Sequence, residues 1–147
     1  MPIECKVTTI STWLAPITVV ETARGVRFVD LDDGARQFRR EAAGEYIRVP
    51  GEAEAADELR RYFAGELHVF SVPLDLFGTP FQLRCWEAMR GIPYGQTITY
   101  AQEGLMAGTR GFQAVGQANR KNPVPILVPC HRVVSLSGPG GYFGDRL

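Results

Sequence analysis

Residues 6–31, "KVTTISTWLAPITVVETARGVRFVDL", carry apolar and β-branched side chains in partial alternation, broken at Ala15-Pro16 and Arg24-Gly25. A period of two with turn residues at the breaks predicts three short antiparallel strands. The pattern then changes. Asp32 or Asp33 is placed to cap a helix through "GARQFRREAA", with Phe38 as its main apolar contact, and "GEYIRVPG" reads as a loop or short edge strand. In "EAEAADELRRYFAG" acidic residues fill the first turn and Gly65 follows the end, so a helix is expected, with Ala56, Leu59 and Phe63 as its inward stripe.

The second half opens with "ELHVFSVPLDLFG", a strand-like linker, and then reads as helices. "TPFQ" is a capping box: Thr79 caps, Pro80 takes the first helical position and Gln82 reaches back. The helix behind it, "FQLRCWEAMRG", is expected to pack Phe81, Trp86 and Met89, with Cys85 as a small core residue. After the turn "IPYGQ", Thr99 and Gln102 repeat the capping pattern before "YAQEGLMA", which Gly108 closes. A tight turn leads into "FQAVGQANRK", with Phe112, Val115 and Ala118 on one buried face, completing a helix-turn-helix outline. Gly116 costs that helix about 1 kcal/mol relative to alanine, so something should offset that cost, such as close approach of another backbone. "NPVP" ends the helix, and the Ile126–Val128 run is expected to continue as a strand to Cys130. The fold class is therefore α+β. A small β-rich domain with helices spans 1–75, and a mainly α domain with a helix-turn-helix and a short cysteine-bearing strand spans 76–147.

Composition narrows the class. At 147 residues, 45% hydrophobic and 22% charged, the chain is that of a globular protein. Its formal net charge of zero is unevenly spread: residues 1–75 carry 9 Lys and Arg against 13 Asp and Glu, and residues 76–147 carry 7 against 3. A polyanion would meet the second half, although a difference of this size is also ordinary scatter. Three separated cysteines, no CxxC pair and two histidines point away from a disulfide framework and from a metal site. The first ten residues show no leader pattern and no run of 18 apolar residues occurs, so a cytoplasmic setting with no membrane contact is expected.

The reactive groups concentrate in "ILVPCHRVV", residues 126–134. A thiol is a weak nucleophile until ionised, and burial among apolar residues opposes ionisation; His131 and Arg132 are the candidates to offset that. Neighbouring strand residues face opposite sides, so a bend at Pro129 or a bridging water would have to connect Cys130 with His131. An inert buried cysteine beside a capping histidine is the alternative. These three residues alone leave both readings open.

The wider pattern "GTPFQLRCWEAMRGIPYGQTITYAQ…AVGQANRKNPVPILVPCHRVV…GGYFG" resembles the methylated-DNA–protein-cysteine methyltransferases, the 6-O-alkylguanine repair family, over most of residues 74–144. The acidic first part looks like that family's smaller, ribonuclease-H-like domain. The resemblance implies that Cys130 accepts an alkyl group from the 6-oxygen of guanine, once per protein molecule, and that His131 activates it through a water. It implies that Tyr100 protonates the departing guanine, and that Val133, Tyr142 and Phe143 line the guanine pocket. Asn122 would brace the turn before the cysteine. The second helix, with Gln113, Ala114, Gly116 and Arg120, would enter the minor groove of double-stranded DNA bearing an alkylated guanine. No cofactor and no metal are implied, and a monomer is expected.

The chain departs from the family pattern in places. Gln113 stands where the family usually has an arginine that fills the space left by the flipped base, and "GTRGF" is one residue short, leaving Arg110 nearby. "GYFGD" puts Phe143 and Asp145 into the pocket motif, and no residue after it matches the family's histidine-orienting glutamate. Reduced activity is therefore expected. A lesion-binding module without transfer is the competing reading; a Cys-His hydrolase is a weaker third, for want of a third triad member.

Overall fold

A computed structural model describes residues 2–31, 46–109 and 111–135, and the chain divides into two units, Met1–Leu76 and Phe77–Leu147. The expected helix after Asp32 or Asp33, Arg110, and the pocket residues Tyr142, Phe143 and Asp145 lie outside the described residues.

In the first unit the alternating segments form β1 (Ile3–Ile10), β2 (Ile17–Thr22) and β3 (Gly25–Leu31), all antiparallel, while β4 (Tyr46–Arg48) runs parallel to β1 at the edge. The order is β3-β2-β1-β4. Five successive residues of β2, Ile17–Glu21, are buried, so both faces of this strand are covered. Helix α1 (Glu54–Phe63) packs on β1 and β2 through Ala55, Ala56, Leu59 and Tyr62. Ala53 at its N-cap offers no side-chain acceptor; instead the Glu21 carboxylate accepts the backbone N–H groups of Glu54 (2.9 Å) and Ala55 (3.2 Å). The expected stripe needs one correction. Spacings of four and three from Ala55 through Leu59 bring Tyr62 to the sheet, whereas Phe63 is only half-buried and sets its ring edge-on to Trp13, centroids 5.6 Å apart.

In the second unit, α2 (Pro80–Arg90), α3 (Tyr100–Ala107) and α4 (Phe112–Arg120) pack together, and both capping boxes are present. Gly108 ends α3 at φ +83°, a left-handed conformation suited to glycine. Trp86 and Met89 of α2 are buried, and the Trp86 indole N–H donates to the Ala118 carbonyl (2.9 Å), tying α2 to α4. Arg84 Nε donates to the Ala107 carbonyl at the end of α3 (3.1 Å). Phe81 is half-buried, with the Arg84 guanidinium 5.7 Å from its ring. Phe112 contradicts the expectation outright: it is 56% exposed. The inward face of α4 is Val115, Ala118 and Asn119, so the ring at the first helical position overhangs solvent.

The Ile126–Val128 run is not a strand. It forms tight turns, and Cys130–Arg132 is one turn of 3-10 helix that leads into β6 (Val133–Val134). β6 pairs in parallel with β5 (Ile98–Thr99), in the register Ile98↔Val133 and Thr99↔Val134. Among the described residues no helix is long and apolar enough to cross a membrane, and no three His, Cys, Asp or Glu side chains gather to hold a metal ion.

Candidate active site around Cys130

The cysteine is placed by its neighbours' hydrogen bonds. Asn122, just past α4, is buried; its Nδ2 donates to the Val128 carbonyl (2.8 Å) and its Oδ1 accepts from the Val124 N–H (3.0 Å). These two bonds close the segment 122–128 on itself, with Ile126 held at φ +77°, a conformation unfavourable for a β-branched residue. The Arg132 N–H then bonds the Pro129 carbonyl (2.9 Å) and winds Cys130 and His131 into the short helix. Because β6 lies beside β5, and β5 runs directly into Tyr100, the cysteine turn and the start of α3 are brought together.

Asn122→Ala is expected to lower stability by about 2–4 kcal/mol, since it strands a buried carbonyl and a buried N–H. A denaturant titration measures this.

The site's resting charge follows from burial. Cys130 is 5% exposed, and burial pushes its thiol up to about 11. A hydrogen bond from Asn122 and the backbone N–H groups of Cys130 and His131 work the other way, while the charge of Glu103 adds to the rise. Burial pushes His131 down to about 4, helped by Arg132. Near neutral pH the pair is therefore a thiol beside an uncharged imidazole, which can accept a proton. Burial, Glu103 and Cys130 raise the Tyr100 phenol, whereas Arg120 lowers it; the phenol stays protonated and can donate. Arg132 does not serve the sulfur as the sequence suggested. Its Nη1 donates to the Ile92 carbonyl (2.7 Å) and its guanidinium lies 5.5 Å from the Tyr94 ring.

A cleft of about 590 Å3 opens beside this centre, and its lining includes Tyr100, Gln113, Gly116 and Arg120. Cys130, His131, Asn122 and Val133 are buried and are not part of the lining, and Ala114 is exposed on α4 outside it. Tyr100 belongs to both groups: it lines the cleft and interacts electrostatically with Cys130. Phe112 and Gln117 also line the cleft, as do Thr99 and Ser135; the sequence placed Phe112 in the core and Thr99 at a helix cap, and assigned none of the four to the site. Close approach of another backbone is not what offsets Gly116 among the described residues: apart from its own helix backbone and chain neighbours, no heavy atom lies within 4 Å of where a Cβ would stand. Glu103 was missed too. The clue lay in its spacing, four residues before Ala107, which puts a carboxylate on the buried side of α3.

Comparison with known proteins covers both units. A family model described as the 6-O-methylguanine DNA methyltransferase ribonuclease-like domain matches residues 5–76, and one described as the DNA binding domain of the same enzyme matches residues 80–146. The chain is 46% identical over 104 residues to the constitutive methylated-DNA–protein-cysteine methyltransferase of Bacillus subtilis, covering 69% of this chain and 63% of that protein, less than two thirds of its length. It is 37% identical over 130 residues to the methylated-DNA–protein-cysteine methyltransferase of Methanosarcina acetivorans, covering 85% of this chain and 80% of that one. The crystal structure of Mycobacterium tuberculosis OGT in complex with DNA superposes with a TM-score of 0.77 at 36% identity, over 92% of this chain and 80% of the other. With both domain models matched in order and a similar protein covered over four fifths of its length, the chain belongs to the methylated-DNA–protein-cysteine methyltransferase family.

Proposed function

We propose that this chain repairs DNA by transferring an alkyl group, typically methyl, from the 6-oxygen of guanine to Cys130, one turnover per molecule. The observation that carries the reading is the pairing of β6 with β5, which brings a thiol and the neutral imidazole next to it in the chain close to the start of α3, where Tyr100 holds a protonated phenol. The Cys130 proton passes to His131 through a water. The sulfur then attacks the alkyl carbon in line, the S–C bond forming as the C–O bond breaks. The electron pair moves into the purine, and Tyr100 protonates a ring nitrogen as that charge develops. His131 finally returns its proton to Tyr100 through solvent. The product is a thioether, whose C–S bond ordinary side chains do not cleave.

Duplex DNA is the partner in this reading. The target atom lies inside the base stack, so the guanine must be extruded, at a cost of a few kcal/mol. Helix α4 would lie in the minor groove with Gln113, Gly116 and Arg120 toward the nucleic acid and Ala114 close by. The open space over Gly116 supports this placement, since a sugar-phosphate backbone can approach there. Val133, Tyr142 and Phe143 would shape the base pocket, and Asn122 would hold the turn. A monomer acting in the cytoplasm completes the proposal.

Incubation with a duplex containing one 6-O-methylguanine, followed by intact-mass and peptide analysis, tests the reading. A gain of one methyl group confined to Cys130 is expected. Binding with no mass change would instead favour a lesion-binding module, a reading that the absence of an arginine at Gln113 keeps in play. Gln113→Arg is expected to tighten DNA binding about 5–20-fold at low salt and to steepen its salt dependence by about one phosphate contact, measured by fluorescence anisotropy.

A further inference from the structure

Glu103 sits on α3, completely buried, and Asn119 of α4 donates Nδ2–H to its Oε1 at 2.7 Å. The other two oxygens of the pair, Glu103 Oε2 and Asn119 Oδ1, are both buried and have no hydrogen-bond partner. Two acceptors without a donor inside a protein are costly, and a carboxylate there is costlier still. One proton removes both problems: a carboxyl O–H is a donor, and the amide oxygen is the acceptor that lacks one.

We propose that Glu103 is held as the neutral acid, Oε2–H donating to Asn119 Oδ1 while Asn119 donates back to Oε1, and that it acts as a positioning residue by keeping negative charge away from Cys130 as the thiol ionises. The inference rests on the transfer reading given above. Among the described residues, the charge of an ionised Glu103 disfavours the ionisation of three neighbouring groups. Those neighbours are Cys130 in the short helix, Cys85 on α2, whose thiol burial and then Glu103 push to about 11, and Tyr100 on its own helix. The basic groups nearby, Arg84 and Arg120, favour ionisation of Cys85 and Tyr100 respectively. Burial raises the Glu103 carboxyl from 4.5 to about 7, with the Asn119 hydrogen bond opposing. The sign follows. A carboxyl whose folded value is raised contributes stability that is fully present below its unfolded value and is lost as pH rises through about 7. Above that pH the ionised Glu103 also makes Cys130 harder to ionise.

Two measurements on the full chain test this. Carbon-detected NMR of glutamate-labelled protein should show one carboxyl titrating near pH 7 that is missing in Glu103→Gln. The ratio of Glu103→Gln to wild-type single-turnover transfer rates should rise more than about threefold between about pH 6 and pH 9, because the variant carries no charge to release. His131, uncharged above about 4, does not titrate between those pH values, so a change in the ratio reports Glu103. A Glu103 carboxyl that titrates below about pH 5, or a ratio that does not move with pH, overturns the proposal. If neither protein transfers at any pH, the repair reading has failed, and the NMR titration by itself decides whether Glu103 is neutral.

Discussion

Cys130→Ser is expected to take up no methyl group from a 6-O-methylguanine duplex while binding that duplex as the wild type does. The variant changes one atom in a buried site and leaves every cleft-lining side chain in place. What it removes is a soft, polarisable atom matched to displacement at saturated carbon. The serine hydroxyl in its place is harder and less acidic than the thiol at about 11. Asn122 can still donate to the new oxygen, so the turn should keep its shape. Intact mass measures transfer and fluorescence anisotropy measures binding. Transfer by the variant at the wild-type rate would remove Cys130 from the mechanism.

His131→Gln should slow transfer by about 10²–10⁴-fold, the range for loss of a positioned general base. Its pH profile is the more informative result. In the wild type the thiol holds its proton below about 11 and the imidazole is uncharged above about 4, so the competent pair is fully populated between those limits. The rate should be nearly level across that window, apart from the decline above pH 7 attributed to Glu103. Without the imidazole, reaction depends on the small fraction of thiolate already present, which grows tenfold per pH unit until the thiol titrates. A plot of log rate against pH should therefore change from nearly flat to a slope of about one. A level profile in the variant would mean that His131 does not take the proton.

How much of this was legible in the sequence depended on how local the cause was. The capping boxes at Thr79 and Thr99 involve side chains three residues apart, so pattern alone located both helix starts. The β-branched alternation likewise marked the first three strands. Periodicity fixes spacing but not what covers a face, which is why Phe63 and Phe112 were assigned to the core and Tyr62 was passed over. The Ile126–Val128 run carries strand propensity, yet two tertiary hydrogen bonds from Asn122 curl it into a turn. At the site, "PCHRV" singled out Cys130 and His131 as candidates, and Tyr100, Gln113, Gly116 and Arg120 share a cleft. Glu103 stayed hidden because a carboxylate on a helix is exposed by default. Its burial is explained only by an amide sixteen residues later in the chain.

The parallel pairing of Ile98 with Val133 joins positions 35 residues apart, and between them lie helices α3 and α4 and the cysteine turn. Long-range closures of this kind form late, because their entropy is lost before any contact compensates for it. A nascent chain, or one opened locally by thermal fluctuation, would thus carry an exposed thiol at position 130, ionising in the ordinary cysteine range and open to small electrophiles. Closure buries that sulfur and lifts it to about 11, so an assembled molecule shields its single equivalent of thiol from casual alkylation.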